Sequence, residues 1–273
     1  MKKFLFVVLI ILFYQSLFAQ YDNYSAGAKS KALSDASLTF SNLWAVFNNQ
    51  AAMAFSDNKA IGVFAENKFG LKELNTGALA FTYPLEKAGV LGLSIYSFNQ
   101  SVLFSRQKFG LAYALKLGNN FSSGMQLNLI RSFTAEYGSA FSFCGEIGLY
   151  FKMNEKTSLG VHVFNPTSSR YNKSNNERIP TLMRIGLAYQ ISENSILLAE
   201  LENSSINSFN FKGGLVYQIS ERLSMQASVK SYPFASAFGL EISTKKININ
   251  LALQFHQVLD ISPGISLDHY FEK

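Results

Sequence analysis

Beyond residue 59 the chain alternates apolar and polar residues through one short segment after another. Ile247, Ile249, Leu251, Leu253 and Phe255 interleave with Lys246, Asn248, Asn250, Ala252, Gln254 and His256. Met183, Ile185, Leu187, Tyr189 and Ile191 interleave with Arg184, Gly186, Ala188 and Gln190. Met125, Leu127 and Leu129, and then Leu223, Met225, Ala227 and Val229, follow the same rule. A β-strand points successive side chains to opposite faces, so each segment has one apolar face and one polar or small face. Helical periodicity is scarce over the same stretch. The pattern predicts about fourteen strands, centred near 60–66, 75–83, 89–98, 102–117, 121–132, 141–152, 157–165, 181–192, 195–203, 206–219, 222–231, 234–244, 245–256 and 263–271. Strands of roughly 10 residues with connections of roughly 6 fill residues 59–273 at that count, and twelve strands also fit.

An all-β chain can close as a barrel in a membrane or pack as a soluble sandwich. Charged residues make up only 15% of the sequence and apolar residues 48%, where a soluble domain carries roughly 25% charge. A sandwich needs polar residues on its solvent face. Here the apolar faces are consistently apolar. The opposite faces carry Gly, Ala, Ser, Asn and Gln, with mixed charges at Arg184, Lys212, Lys230, Glu241 and Lys246 and amides at Asn248, Asn250 and Gln254. Those eight are the candidate lumen-lining residues of a transmembrane antiparallel β-barrel. Charge should then be costly on the lipid face and tolerated on the lumen face. Every second connection reads as a short turn (PLEK at 84–87, LGNN at 117–120, MNEK at 153–156, ISEN at 191–194, ISER at 219–222, STKK at 243–246), with often longer connections between, the longest at 165–180. Short periplasmic turns opposite longer outer loops are the habit of outer-membrane barrels. Tyr83, Phe151, Tyr189 and Tyr217 each precede a short turn on the apolar face, as an interfacial aromatic girdle would. GLAYQISEN at 186–194 nearly repeats as GLVYQISER at 214–222, which predicts two similar hairpins.

The first 58 residues differ. Residues 1–19 begin with Lys2 and Lys3, continue through an apolar run from Phe4 to Phe13 and end in Ala19. They read as a signal peptide cleaved after Ala19, implying export. Residues 20–58 do not alternate and read as a short helical segment, folded into the barrel lumen or packed at its mouth. Trp44, Phe47, Asn48, Asn49 and Gln50 are its candidate contact residues. The run Ala26-Gly27-Ala28-Lys29, then Ala32-Leu33 and Ala36-Ser37, and later Phe47-Asn48-Asn49-Gln50-Ala51-Ala52-Met53 resembles the opening signature of fatty-acid-transporter-like outer-membrane barrels. It is most similar to the PorV/PorQ family associated with type IX secretion. The resemblance implies a fourteen-strand barrel with an N-terminal hatch. Ser34 and Asp35 stand where the family has a Gly pair, Gln50 where it has Pro, and Ala52 where it has Gly. The resemblance therefore implies a similar place with a looser hold on the backbone.

Little in the sequence carries catalytic chemistry. His162, His256 and His269 are far apart, with His269 on an apolar face, and Cys144 is the single cysteine. No metal-ligand spacing, phosphate-binding glycine loop or nucleophile elbow occurs. Glu200 and Glu202 share a strand face and read as charges at a strand end. The basic residues are scattered, which argues against nucleic acid. The expectation is a non-enzymatic outer-membrane protein without cofactor, surrounded by lipid. The resemblance implies a secretion accessory or scaffold contacting secretion subunits or secreted cargo. The alternatives are a channel for hydrophobic small molecules and a closed structural barrel.

Overall fold

A computed structural model describes residues 24–85, 88–171, 178–206 and 209–271. The proposed signal peptide, 1–19, lies outside the described residues. Fourteen antiparallel strands close on themselves. In chain order they are β1 Ala60–Asn67, β2 Leu74–Pro84, β3 Val90–Gln100, β4 Phe104–Lys116, β5 Phe121–Thr134, β6 Gly138–Lys152 and β7 Thr157–Phe164. There follow β8 Leu182–Ser192, β9 Ser195–Ser204, β10 Asn210–Ser220, β11 Leu223–Ser231, β12 Phe234–Ser243, β13 Ile247–His256 and β14 Ser262–Tyr270. Each strand pairs with its neighbours in sequence, and β14 returns to β1 with Ala60 opposite Tyr270 and Glu66 opposite Gly264. Closure leaves no free sheet edge, which a bilayer requires of any strand that crosses it.

The alternation sorts the faces. On β13, Leu251 is 43% exposed and Asn250 is 2% exposed. Outward residues such as Leu93, Leu111, Leu127, Phe143, Ile185, Phe211, Phe238 and Ile265 form an exposed apolar surface around the whole wall. A closed barrel with that exterior is a transmembrane barrel. The two near-repeated sequences form the β8–β9 and β10–β11 hairpins, and both shift register at the same place, between Gln190 and Ser192 and between Gln218 and Ser220. Tyr83, Phe151, Tyr189 and Tyr217 are exposed on the outer surface at the end where the short turns lie. Lys59 caps that rim with its ammonium over the rings of Phe81, Tyr83 and Phe271.

The connections follow the expected asymmetry unevenly: 68–73, 165–181, 205–209 and 257–261 are longer than most of the short turns, and three others are not. At the end opposite the short turns, β3–β4, β5–β6 and β11–β12 join through 101–103, 135–137 and 232–233, no longer than the turns facing them. The asymmetry is largest at the β7–β8 connection at 165–181, where Tyr171 and Ile179 are buried.

The barrel is not hollow. Residues 24–58 run inside it as a short helix Ala28–Ala32, a second helix Ala45–Asn48 and a 3-10 turn Gln50–Phe55. Their apolar side chains, among them Leu33, Leu43, Trp44, Val46, Phe47 and Met53, are at most 2% exposed. Inward-facing glycines make the room. A Cβ on Gly62 would stand 2.6 Å from Leu43, on Gly92 2.8 Å from Val46, on Gly124 2.5 Å from the backbone of Ala51, and on Gly160 2.7 Å from the backbone oxygen of Leu38. The small residues on the polar faces therefore accommodate a filled lumen.

Candidate functional site

Where the N-terminal segment meets the wall, the sequence places polar groups on both sides. Trp44 donates its indole N–H to Asp268 at 2.8 Å, and Ser122 donates to the carbonyl of Ala51 at 2.7 Å. Asn49 donates to the carbonyls of Leu38 at 2.9 Å and Leu149 at 3.1 Å, while its oxygen accepts the N–H of Ala51 and starts the 3-10 turn. Asn48 donates to Ser30 at 2.8 Å and its carbonyl accepts from Arg184 at 2.8 Å. Phe47 packs beside Trp44, ring centroids 6.0 Å apart. Gln50 stands at the first position of its turn, where a Pro is also at ease, and reaches the Val46 carbonyl at 3.1 Å and Glu146 at 2.8 Å.

Ser34 and Asp35 overturn the expectation of a loosened backbone. Both keep the left-handed conformation that a Gly pair adopts freely, with φ of 51° and 68°. Aspartate tolerates that region better than most residues, and the side chains add holds a Gly pair lacks. Asp35 pairs with Lys31 at 3.1 Å, and the Ser34 hydroxyl lies 2.8 Å from that of Ser228 on β11.

Glu146 on β6 is the hub of the lumen. One carboxylate oxygen accepts from Lys108 at 2.7 Å, Asn128 at 2.9 Å and Gln126 at 3.2 Å. The other accepts from Gln50 at 2.8 Å and meets His162 Nε2 at 3.0 Å. Arg184, which can only donate, lies 2.8 Å from His162 Nδ1. Nδ1 therefore accepts and Nε2 carries the proton it gives to Glu146. A second cluster joins Lys212 to Glu200 at 2.9 Å and Glu202 at 2.8 Å, all inside the barrel. The two glutamates are not strand-end charges: both point inward and are at most 4% exposed.

Of the lumen-lining candidates, Arg184, Lys212, Lys230, Asn250 and Gln254 are buried inside. Asn248 is half-buried, and Glu241 holds Lys29 at 2.6 Å. Lys246 does not line the lumen. It is exposed in the turn before β13 begins at Ile247, so the alternation that assigns its face does not reach it. His269 faces outward, 4.7 Å from the Phe271 ring. Lys108, Glu146 and Asp268 were absent from the sequence candidates. Glu146 sits between Cys144 and Gly148 on the small face of its strand, a signal that alternation alone supplies.

The segment does not fill the barrel to its looped end. A cavity of about 570 Å³ remains there. Its floor is Tyr24, Lys31 and Asp35, and its walls include Phe69, Tyr96, Phe98 and Phe104 together with Glu66, Lys68, Arg106, Lys230, Gln254 and His256. Arg106 lies over the Tyr171 ring at 4.1 Å and Lys68 over Phe98 at 5.1 Å, and His256 meets Phe69 edge-on at 4.7 Å. The chamber is thus aromatic and charged at once.

No family profile and no curated protein matches the chain. Solved structures do. The toluene transporter TbuX of Ralstonia pickettii superposes with a TM-score of 0.75 at 10% identity, covering 93% of this chain and all of that one. The toluene transporter TodX of Pseudomonas putida gives 0.69 at 12% identity over 92% of this chain and 99% of that one. A FadL homologue of Pseudomonas aeruginosa gives 0.63 at 14% identity over 90% and 98%. The fold is that of the fatty-acid-transporter-like barrels. At these identities the likeness concerns architecture, and it does not extend to the narrower PorV/PorQ family. In this barrel, the Glu146 hub ties wall to inner segment and the chamber lies between that segment and the looped rim.

Proposed function

We propose that the chain is an outer-membrane channel for small molecules with an apolar, ring-sized body, in which residues 24–58 act as a plug. The observation that carries this reading is the chamber: an aromatic-walled cavity above an inserted segment, in a barrel of the fold that TbuX and TodX share. Cavities of roughly 300–1,000 Å³ suit small ligands, and the 570 Å³ here falls within that range. Entry is from the looped end, and passage requires the segment to shift, because its polar bonds to Glu146, Asp268 and Arg184 close the lumen below. Purified protein reconstituted in liposomes tests the reading. Uptake of a ring compound is expected to exceed that into empty liposomes, and equal rates would remove it.

The N-terminal motif and the closed lumen favour a second reading, a PorV/PorQ-type scaffold that holds secretion subunits or cargo without conducting. Affinity capture from native outer membranes distinguishes the two: stoichiometric secretion subunits support the scaffold, and their absence together with uptake supports the channel.

A further inference from the structure

We propose that the chamber is built for a small aromatic zwitterion, a ring bearing both an anionic and a cationic group as an aromatic amino acid does, and not for a neutral hydrocarbon. The inference rests on the channel reading above and names its substrate class. Among the described residues, Lys230 makes no hydrogen bond or ion pair although it is only 7% exposed. Glu66, 5% exposed, leaves Oε2 buried without a hydrogen-bond partner, and Gln254 does the same with its amide nitrogen. All three border the one cavity.

Such groups are rare inside proteins because a buried charge without a partner is costly. Most other charges of this lumen obey that rule, while Arg184 is held by the Asn48 carbonyl and His162 Nδ1 and, among the described residues, by no carboxylate. Lys108 has Glu146, Lys212 has Glu200 and Glu202, Lys31 has Asp35, and Lys29 has Glu241. Lys230 and Glu66 border the chamber from β11 and β1, with the Gln254 donor on β13 between them in the wall. A ligand carboxylate satisfies Lys230 and Gln254, a ligand ammonium satisfies Glu66, and the ring lies against Phe69, Phe98 and Phe104. A hydrocarbon offers no bond to any of the three polar groups. A simple acid satisfies Lys230 and leaves Glu66 unpaired. Sites built around hydrogen bonds reject ligands that lack the matching groups far more strongly than apolar pockets reject an extra methylene.

The test uses the full chain in liposomes and in detergent with four probes of similar size: phenylalanine, 3-phenylpropionate, phenethylamine and ethylbenzene. Phenylalanine is expected to enter and to bind at least ten-fold more tightly than the others. Lys230→Met should lower its affinity at least ten-fold and leave phenethylamine unchanged. Glu66→Gln should lower phenylalanine and phenethylamine alike and leave 3-phenylpropionate unchanged. Neither variant should lower the heat-modifiable gel transition, since neither removes a hydrogen-bonded ion pair. A lowered transition would assign these residues to the fold and overturn the proposal. Ethylbenzene entering as well as phenylalanine would overturn it too while leaving the channel reading intact. Entry of none of the four removes the channel reading and this inference together.

Discussion

A single carboxylate organises the middle of this molecule. Glu146 accepts from five side chains that come from β4, β5, β7 and the N-terminal segment. Removing its charge leaves Lys108 buried and unpaired at 1% side-chain exposure. Breaking such a pair costs roughly 3–5 kcal/mol, so Glu146→Gln is expected to lower unfolding stability in detergent by about that much, measured by chemical denaturation. A second residue-scale contrast lies on the wall. Leu251 faces outward, and Leu251→Arg is expected to cost about 2–4 kcal/mol if it sits near the bilayer midplane. Its neighbour Asn250 faces inward, yet it is 2% exposed and 3.5 Å from Asp268. The expectation that charge is tolerated on the lumen face therefore fails at this depth: Asn250→Arg has no space and should be costly too. The tolerant inward positions are those that border the chamber.

At the scale of elements, the wall glycines decide where the N-terminal segment can lie. The space beside Gly160 is closed by the backbone of Leu38 at 2.7 Å, and backbone moves less readily than a side-chain tip. Gly160→Val is therefore expected to push the 33–40 stretch off the wall while β7 keeps its pairing with β6 and β8. Limited proteolysis should show faster cleavage within residues 24–58 and an unchanged barrel core; equal cleavage in both proteins would mean the segment has slack at this point. Trp44 anchors the other side. Trp44→Phe keeps a ring against Phe64 and removes the hydrogen bond to the buried Asp268. An orphaned buried acceptor costs roughly 1–3 kcal/mol, to be read as a lower thermal transition.

For the whole molecule, the consequence of a filled lumen is a low resting conductance. Deleting residues 24–58 is expected to leave the closed β1–β14 pairing in place, because the ladder does not include the segment, and to raise single-channel conductance in planar bilayers. An unchanged conductance with a folded barrel would show that the wall itself, or the looped rim, closes the pore. The deletion also exposes Lys108, Glu146 and Lys212 to water, and their ion pairs should then become sensitive to salt.

The strands, their faces and the two sister hairpins were legible because alternation is a local property: each residue reports its own face through its neighbours two positions away. The apolar exterior followed from the same period, and with it the membrane. The N-terminal segment was marked as distinct by the loss of that period, and Asn48-Asn49-Gln50 by its motif. What the tertiary structure alone decided are the encounters across the lumen. Glu146 meets Gln50 across 96 residues and Lys108 across 38, and nothing local in either stretch specifies the stagger of strands or the path of the segment that brings them together. The same holds for Lys230 and for Glu66 Oε2, whose lack of a hydrogen-bond partner is a fact about an enclosed space. A period of two says which way a side chain points; only the closed barrel and the chain threaded through it settle what it points at.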